Sequence, residues 1–268
     1  MNYRHAFHAG NFADIAKHLA LLAVLLHLRR KEAAFAVIDT HAGRGAYDLA
    51  SAQARRTGEA EAGIARIRSL RGLSALLDAY LDLVAGPVYP GSPLIAARLL
   101  RPQDRLVAVE KHPGEHEALT ALLEPYRNAR TEQGDGYKRL AALLPPPERR
   151  GAILIDPPYE APDEFAQAAE AFAAGFRRFA TGTYLIWFPV KSAAAANAFC
   201  GEVLAAGAQK AVRLDIALRD RDEARLSAAG LLVVNPPYLF VDSMRKALDP
   251  VLPAIAADAS FDWLAGEG

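Results

Sequence analysis

The chain has 268 residues, 52% of them hydrophobic, enough for one large α/β domain or a domain carrying an insertion. Lys and Arg number 31, as do Asp and Glu, so no global field attracts a polyanion and any nucleic-acid surface must be a local patch. The single cysteine, Cys200, excludes an intrachain disulfide and a Cys-rich metal site, and fits a reducing cytoplasm.

In chain order, the first feature is a basic stretch. Residues 1–31 carry Arg4, Lys17, Arg29, Arg30 and Lys31 against Asp14 alone, beside His5, His8 and His18. Its apolar text "LALLAVLLHL", 19–28, is about half the ~20 residues a membrane span needs. It runs into Arg29-Arg30-Lys31 and reads as the buried part of a helix over 12–30, in a soluble, cytoplasmic protein with no membrane partner. Apolar runs bounded by turn residues then predict strands at 34–40, 105–111, 129–135, 151–156, 183–190, 211–218 and 229–235. Helical patterns fall at 114–126, 136–144, 163–179 and 192–206. Alternating strand and helix implies right-handed βαβ units and a mainly parallel seven-stranded sheet. The linker "RDRDEARLSA" is too short for a crossover helix, so the last two strands should pair as a terminal antiparallel hairpin.

From 46 to 101 the text is helical and no strand is predicted; a second basic stretch there holds Arg55, Arg56, Arg66, Arg68 and Arg71 against Glu59 and Glu61. The expected organisation is a core of 1–45 and 102–268 with a helical insertion, 46–101, after the first strand.

In open α/β sheets ligands lie outside the carboxyl ends of the strands, near the point where strand order reverses. The first predicted strand ends in "DTHAGRG", holding Asp39, His41, Gly43 and Gly45, a loop that lets backbone approach a ligand. It is neither G-x-G-x-x-G nor a Walker loop. The second ends in Glu110, placed to accept both hydroxyls of a ribose. It lies 65 residues beyond Gly45, and removing the insertion restores the order expected of nucleotide-binding folds. The third ends in "GDGYKRL", where Asp135 can accept a purine amine, N-cap the next helix, or do both. The fourth ends in Asp156-Pro157-Pro158-Tyr159. Four acidic strand ends with glycines after the first, and no phosphate cradle, suit a nucleoside-containing cofactor such as S-adenosylmethionine.

Adenine N6 is a poor nucleophile because its lone pair is delocalised into the ring. Two acceptors aimed at its N–H bonds, the Asp156 carboxylate and the Pro157 carbonyl, pull it towards tetrahedral geometry. Prolines fix the chain and donate no competing N–H. Tyr159 can stack on an extruded base, a contact worth roughly 1–3 kcal/mol. Transfer then needs in-line positioning and no metal. A near copy, "NPPY" at 235–238, ends the antiparallel hairpin strand, so it should face the opposite rim and act as a turn.

The blocks "YRHAFHAGNFADIAKH" (3–18), "DTHAGRG" (39–45), "YPGSPLIAARLLR" (89–101), "GDG" (134–136) and "ILIDPPYE" (153–160) closely resemble the RlmJ family, over nearly the whole chain. The resemblance implies a class I (Rossmann-like) S-adenosylmethionine-dependent methyltransferase. It further implies a monomer that methylates N6 of adenine 2030 in 23S ribosomal RNA free of ribosomal proteins. Carried over, the cofactor contacts are Lys17, His18, His41, Ser92, Glu110, Asp135 and Gly136. Asp156 is catalytic, Tyr3 a substrate contact, and His5 and Lys17 belong to the substrate side. Phe12 stands where some relatives carry histidine, and Arg44 adds a charge to the glycine loop. By plain helix grammar Ser92 is an N-cap with Pro93 at the first helical position. DNA adenine or a protein glutamine as acceptor, and a noncatalytic RNA-binding protein of the same fold, are the other readings; Asp156, where glutamine methylases favour Asn, argues against glutamine.

Overall fold

The computed structural model of the chain describes residues 8–222 and 225–266, so the predicted substrate residues Tyr3 and His5 lie outside the described residues. The chain opens with α1 (Phe12–Arg29), β1 (Ala36–Asp39) and β2 (Ala46–Asp48). Short helices α2 (Ala52–Thr57), α3 (Glu59–Ala62) and α4 (Ile64–Ile67) follow, then α5 (Ala75–Leu83), β3 (Val88–Pro90) and α6 (Ser92–Leu99). The alternating part comprises β4 (Arg105–Glu110), α7 (Pro113–Leu123), β5 (Ala129–Gln133), α8 (Gly136–Leu143), β6 (Gly151–Ile155), α9 (Glu164–Arg178), β7 (Thr183–Pro189) and α10 (Ala193–Ala205). The chain continues through β8 (Ala211–Leu218), β9 (Ala228–Val234), α11 (Phe240–Leu248), α12 (Val251–Ala254) and β10 (Ala257–Ala265).

One sheet holds eight strands in the order β10-β8-β9-β7-β6-β1-β4-β5. β5, β4, β1, β6 and β7 are parallel, and β9 runs antiparallel to both β7 and β8. The seven predicted strands and the hairpin are present, but the count of seven is one short. β10 pairs antiparallel with β8 at the edge, from Ala257 opposite Leu218 to Ala265 opposite Ala211. Its text, "ADASFDWLA", mixes small, acidic and half-exposed residues, as edge strands do, and so lacks the apolar run that marks a strand.

Alternation across the strands separates two cores. Ala152 and Leu154 of β6 face the cluster containing α1, α5, α6, α7 and α11, whereas Ile153 and Ile155 face α8, α9 and α10. All five residues of β6 are buried, as a parallel strand covered on both faces requires. α1 is buried almost all round because it lies between the sheet and helices α5, α6 and α11. Asn11 caps it by accepting from the Asp14 amide.

Within 46–101 the expectation of no strand fails. β2 and β3 form a two-stranded antiparallel sheet with Tyr47 opposite Tyr89. Three-residue strands are too short to show alternation in the sequence. The last helix of this stretch, α6, packs on β1 and β4 and serves as the crossover between them. Among the described residues no helix is long and apolar enough to cross a membrane.

Strand order reverses between β1 and β6: the chain leaves β1 for β4 on one side and later returns to β6 on the other. Asp39 ends β1 and Asp156 follows β6, so both acids stand where such sheets open for a ligand.

Candidate active site

A buried ion triad occupies the centre of this rim. The Lys17 ammonium lies 2.6 Å from Asp156 Oδ2 and 2.8 Å from Asp14 Oδ1, with Lys17 only 4% and Asp14 2% exposed. Burial opposes the lysine's charge, but the carboxylates of Asp14 and Asp156 outweigh it and raise its pKa. Asp14 Oδ2 also accepts from the Gly10 amide at 2.9 Å, so the start of α1 fixes the carboxylate that fixes Lys17. With Asp156 Oδ2 held by Lys17, Oδ1 is the atom left to meet a ligand.

Asp39 and Ser92 form the second element. Ser92 Oγ donates to Asp39 Oδ2 at 2.7 Å, and the His41 amide donates to Oδ1 at 3.3 Å. Burial pushes the Asp39 carboxyl up to about 7, with the charge of Asp156 adding to the rise. Ser92 therefore does not cap α6 as helix grammar suggests: Gly91 is the cap residue and makes no side-chain cap bond, while the serine hydroxyl is drawn to the buried acid. Thr40 Oγ1 donates to the Leu154 carbonyl, so its 2.8 Å contact with His41 Nδ1 requires the ring to donate there. That leaves Nε2 as the acceptor. Burial lowers the His41 pKa to about 4, which keeps the imidazole neutral.

Glu110 is spoken for on both oxygens: Oε2 accepts from the Gly43 amide at 2.8 Å and Oε1 from the His112 amide at 2.7 Å. Each oxygen keeps a second lone pair for a hydroxyl. Gly43 has φ +60°, and a Cβ there would meet the Tyr47 hydroxyl at 2.5 Å. Arg44 donates to both carboxylate oxygens of Glu115, at 2.9 and 3.1 Å, and so clamps the loop onto the first turn of α7.

Asp135 is the N-cap of α8, accepting from the Tyr137 and Lys138 amides, while Oδ2 faces Lys111 at 3.4 Å. Burial opposes ionisation, but the Lys138 amide bond and the Lys111 charge hold the carboxyl below its ordinary range. At Gly136 a Cβ would sit 1.9 Å from the Thr40 carbonyl, so α8 can approach the end of β1 only through glycine. Tyr137 meets the His41 ring edge-on at 4.7 Å, and its buried hydroxyl has no partner among the described residues.

The two proline motifs fold differently. In the first, Tyr159 takes the left-handed conformation (φ 52°); its hydroxyl donates to the Trp187 carbonyl at 2.8 Å and its ring packs on Phe165 and Trp187. A non-glycine residue in that region costs on the order of 1–3 kcal/mol. In the second, Asn235 itself is left-handed (φ 53°), and its Nδ2 donates to Ala180 and Gly182 at the start of β7. Because β9 opposes β7, Asn235 sits on the other rim, as its position in the hairpin predicts.

Lys17, His41, Gly43, Ser92, Glu110, Asp135, Gly136 and the Asp156-Pro157-Pro158-Tyr159 turn thus all lie around the ends of the parallel strands. His18 lies deeper, 1% exposed, with Nδ1 2.8 Å from the Tyr89 hydroxyl, which bonds Tyr80 in turn. Sequence reasoning missed Asp14 and Trp187. Asp14 carried a signal, an acid three residues before Lys17 on one helix face; Trp187 carried none. The two nearby lysines are both committed to carboxylates, Lys17 to Asp14 and Asp156 and Lys111 to Asp135, which leaves acids and a neutral imidazole to receive a ligand.

A family model described as Ribosomal RNA large subunit methyltransferase D, RlmJ, matches residues 32–265. The chain is 40% identical to Ribosomal RNA large subunit methyltransferase J of Escherichia coli (strain K12), covering all of both chains. It is 36% identical to the Haemophilus influenzae protein of the same name, covering 98% of this chain and 97% of that one. A crystal structure of a protein from Legionella pneumophila str. Philadelphia 1 superposes with a TM-score of 0.89 at 32% identity, covering 96% of this chain and 98% of that one. Its sheet order, the acids at its strand ends and these full-length matches agree: the chain belongs to the RlmJ family of ribosomal RNA large subunit methyltransferases.

Proposed function

We propose that the protein transfers a methyl group from S-adenosylmethionine to the exocyclic N6 of adenine 2030 in 23S ribosomal RNA. The observation that carries this reading is Asp156, held after β6 at the strand-order reversal by Lys17, which takes its Oδ2 at 2.6 Å. The residues around it suit the cofactor's chemistry. Glu110 offers lone pairs for ribose hydroxyls, Asp135 and Gly136 flank the purine side, and His41, Gly43 and Ser92 complete the site, while His18 lies deeper against Tyr89. A neutral His41 places no positive charge against a sulfonium.

The cofactor, when bound, would supply an electrophilic methyl group on a sulfonium and, once its sulfur–methyl bond is broken, would leave as the neutral thioether S-adenosylhomocysteine. Everything else falls to the chain. Asp156 Oδ1 and the Pro157 carbonyl accept the two N–H bonds of the amino group, freeing its lone pair in line with the donor. Tyr159 presents an aromatic face to the extruded base, and Tyr3 and His5 contact the RNA. Flanked by two carboxylates, Lys17 stays cationic and cannot take the proton released from N6, so that proton leaves through Asp156. Positioning of this kind is worth several kcal/mol without a strong base. The protein acts as a cytoplasmic monomer on RNA free of ribosomal proteins, with 46–101 as an insertion into the methyltransferase core.

The test is transfer of labelled methyl to deproteinised large-subunit RNA, with DNA as competitor. Asp156→Ala should abolish it; persistent transfer would remove Asp156 from the mechanism. A protein that binds no S-adenosylmethionine in calorimetry would be a binding module instead.

A further inference from the structure

The two basic stretches end up on opposite rims. Arg29, Arg30 and Lys31 close α1 where β1 and β6 begin: the Arg101 guanidinium takes the carbonyls of Arg29 and Lys31, and Arg150 that of Leu28. Arg29 is therefore about 18 Å from Lys17 along the helix, at roughly 1.5 Å per residue.

Residues 55–71 stand at the other end of α1. The Ile64 amide donates to the Gly10 carbonyl at 2.9 Å, beside Asn11, the cap of α1. That cap lies about 9 Å before Lys17 on the same scale. α4 also packs on α12, and the chain leaving α12 enters β10 at Ala257, opposite Leu218, the last residue of β8. Helices α2 to α4 thus share the rim of Asp156.

The acid on this face is largely turned inward. Glu59 bonds His8 and the Asn11 side chain, each at 2.9 Å, which leaves Glu61 as the exposed acid. Arg56 and Arg66 are exposed and make no ion pair among the described residues. Arg55 and Arg68 are exposed as well and spend one nitrogen each on backbone carbonyls, of Ala50 and Gly86. The chain as a whole has zero formal net charge, so a polyanion must be met by such a local excess.

We infer that the exposed face of α2–α4, centred on Arg55, Arg56 and Arg66, binds the phosphodiester backbone of the RNA strand whose nucleotide reaches Asp156. The inference deepens the proposed function and rests on it. Guanidinium groups suit phosphate oxygens through paired N–H bonds, and such contacts fix the strand without reading its bases. The Arg29–Lys31 cluster takes no part.

The experiment measures affinity for deproteinised large-subunit RNA against salt concentration, with S-adenosylmethionine affinity by calorimetry alongside. R56E/R66E should weaken RNA binding at least about tenfold while cofactor affinity is kept; R29E/R30E should stay within about twofold of the unmodified protein. Should R56E/R66E also lose the cofactor, R56Q/R66Q replaces it, and the slope of log affinity on log salt should fall by about 1.4, roughly 0.7 per lost contact to single-stranded RNA. Unchanged RNA affinity and salt slope, or equal losses in the two pairs, overturns the inference. Absence of methyl transfer by the unmodified protein would strike at the proposed function instead.

Discussion

Lys17 and Asp156, 139 residues apart in the chain, meet at 2.6 Å and tie the second turn of α1 to the turn after β6. Lys17→Met leaves Asp14 and Asp156 facing one another with no cation between them. It should destabilise the fold by roughly 3–5 kcal/mol in urea unfolding, the usual result of breaking a buried pair by removing one partner. Asp14→Asn added to Lys17→Met should restore part of that stability and none of the methyl transfer. A Lys17→Met protein as stable as the unmodified one would mean the triad is not closed to water.

Asp156→Asn keeps an acceptor oxygen but loses the charge that orders Lys17 and receives the proton. Its kcat for RNA methylation should fall at least about 100-fold, the scale seen when one preorganised polar group is removed from a reacting centre. Single-turnover rates with labelled cofactor measure this directly.

Asp39 and His41 should tilt stability with pH in opposite directions. With its pKa at about 7, native Asp39 keeps a proton that the unfolded chain releases near pH ~4, so its contribution is lost as pH rises from about 4 to 7. With its pKa at about 4, native His41 refuses a proton that the unfolded chain takes near pH ~6.5, so its contribution is lost as pH falls from about 6.5 to 4. Asp39→Asn should therefore gain stability relative to the unmodified protein as pH rises to 8, and His41→Gln as it falls to 4.5. Melting temperatures at pH 4.5, 6 and 8 decide it; parallel profiles for all three proteins contradict both assignments.

Gly136→Ala puts a Cβ 1.9 Å from the Thr40 carbonyl, against backbone that cannot rotate away. The helix must shift, carrying Asp135 with it. A loss of about 1–3 kcal/mol in thermal unfolding is expected, together with weaker S-adenosylmethionine binding. An alanine variant with unaltered melting and cofactor affinity rules out close approach of α8 to β1.

Asn235→Ala separates the two proline motifs. It removes the bonds to Ala180 and Gly182, made at 2.8 and 2.9 Å, and leaves alanine in a left-handed conformation. Stability should fall by about 2–3 kcal/mol while kcat of the folded fraction stays within about twofold. Loss of kcat without loss of stability would give this motif a catalytic part that its rim does not allow.

Much of the molecule was determined by local sequence. The run that became β6 is apolar because a parallel strand buried on both faces must be apolar throughout, and Ile153, Leu154 and Ile155 state that on their own, whereas the edge strand β5, Ala129–Gln133, has no buried residue and is polar. Acids at strand ends were legible because an acidic residue closing an apolar run, as Asp39 closes β1 and Glu110 closes β4, marks the carboxyl rim where ligands sit. Tertiary structure alone decided the partners. Asp14, Lys17 and Asp156 converge only because α1 lies across β6 and β7, and the Ser92 hydroxyl turns from its helix to Asp39 because β1 ends beside it. The edge strand β10 and the Tyr47–Tyr89 pairing were invisible for a related reason. Their stability comes from a neighbour already in place, and a window of sequence carries no record of what lies across a sheet.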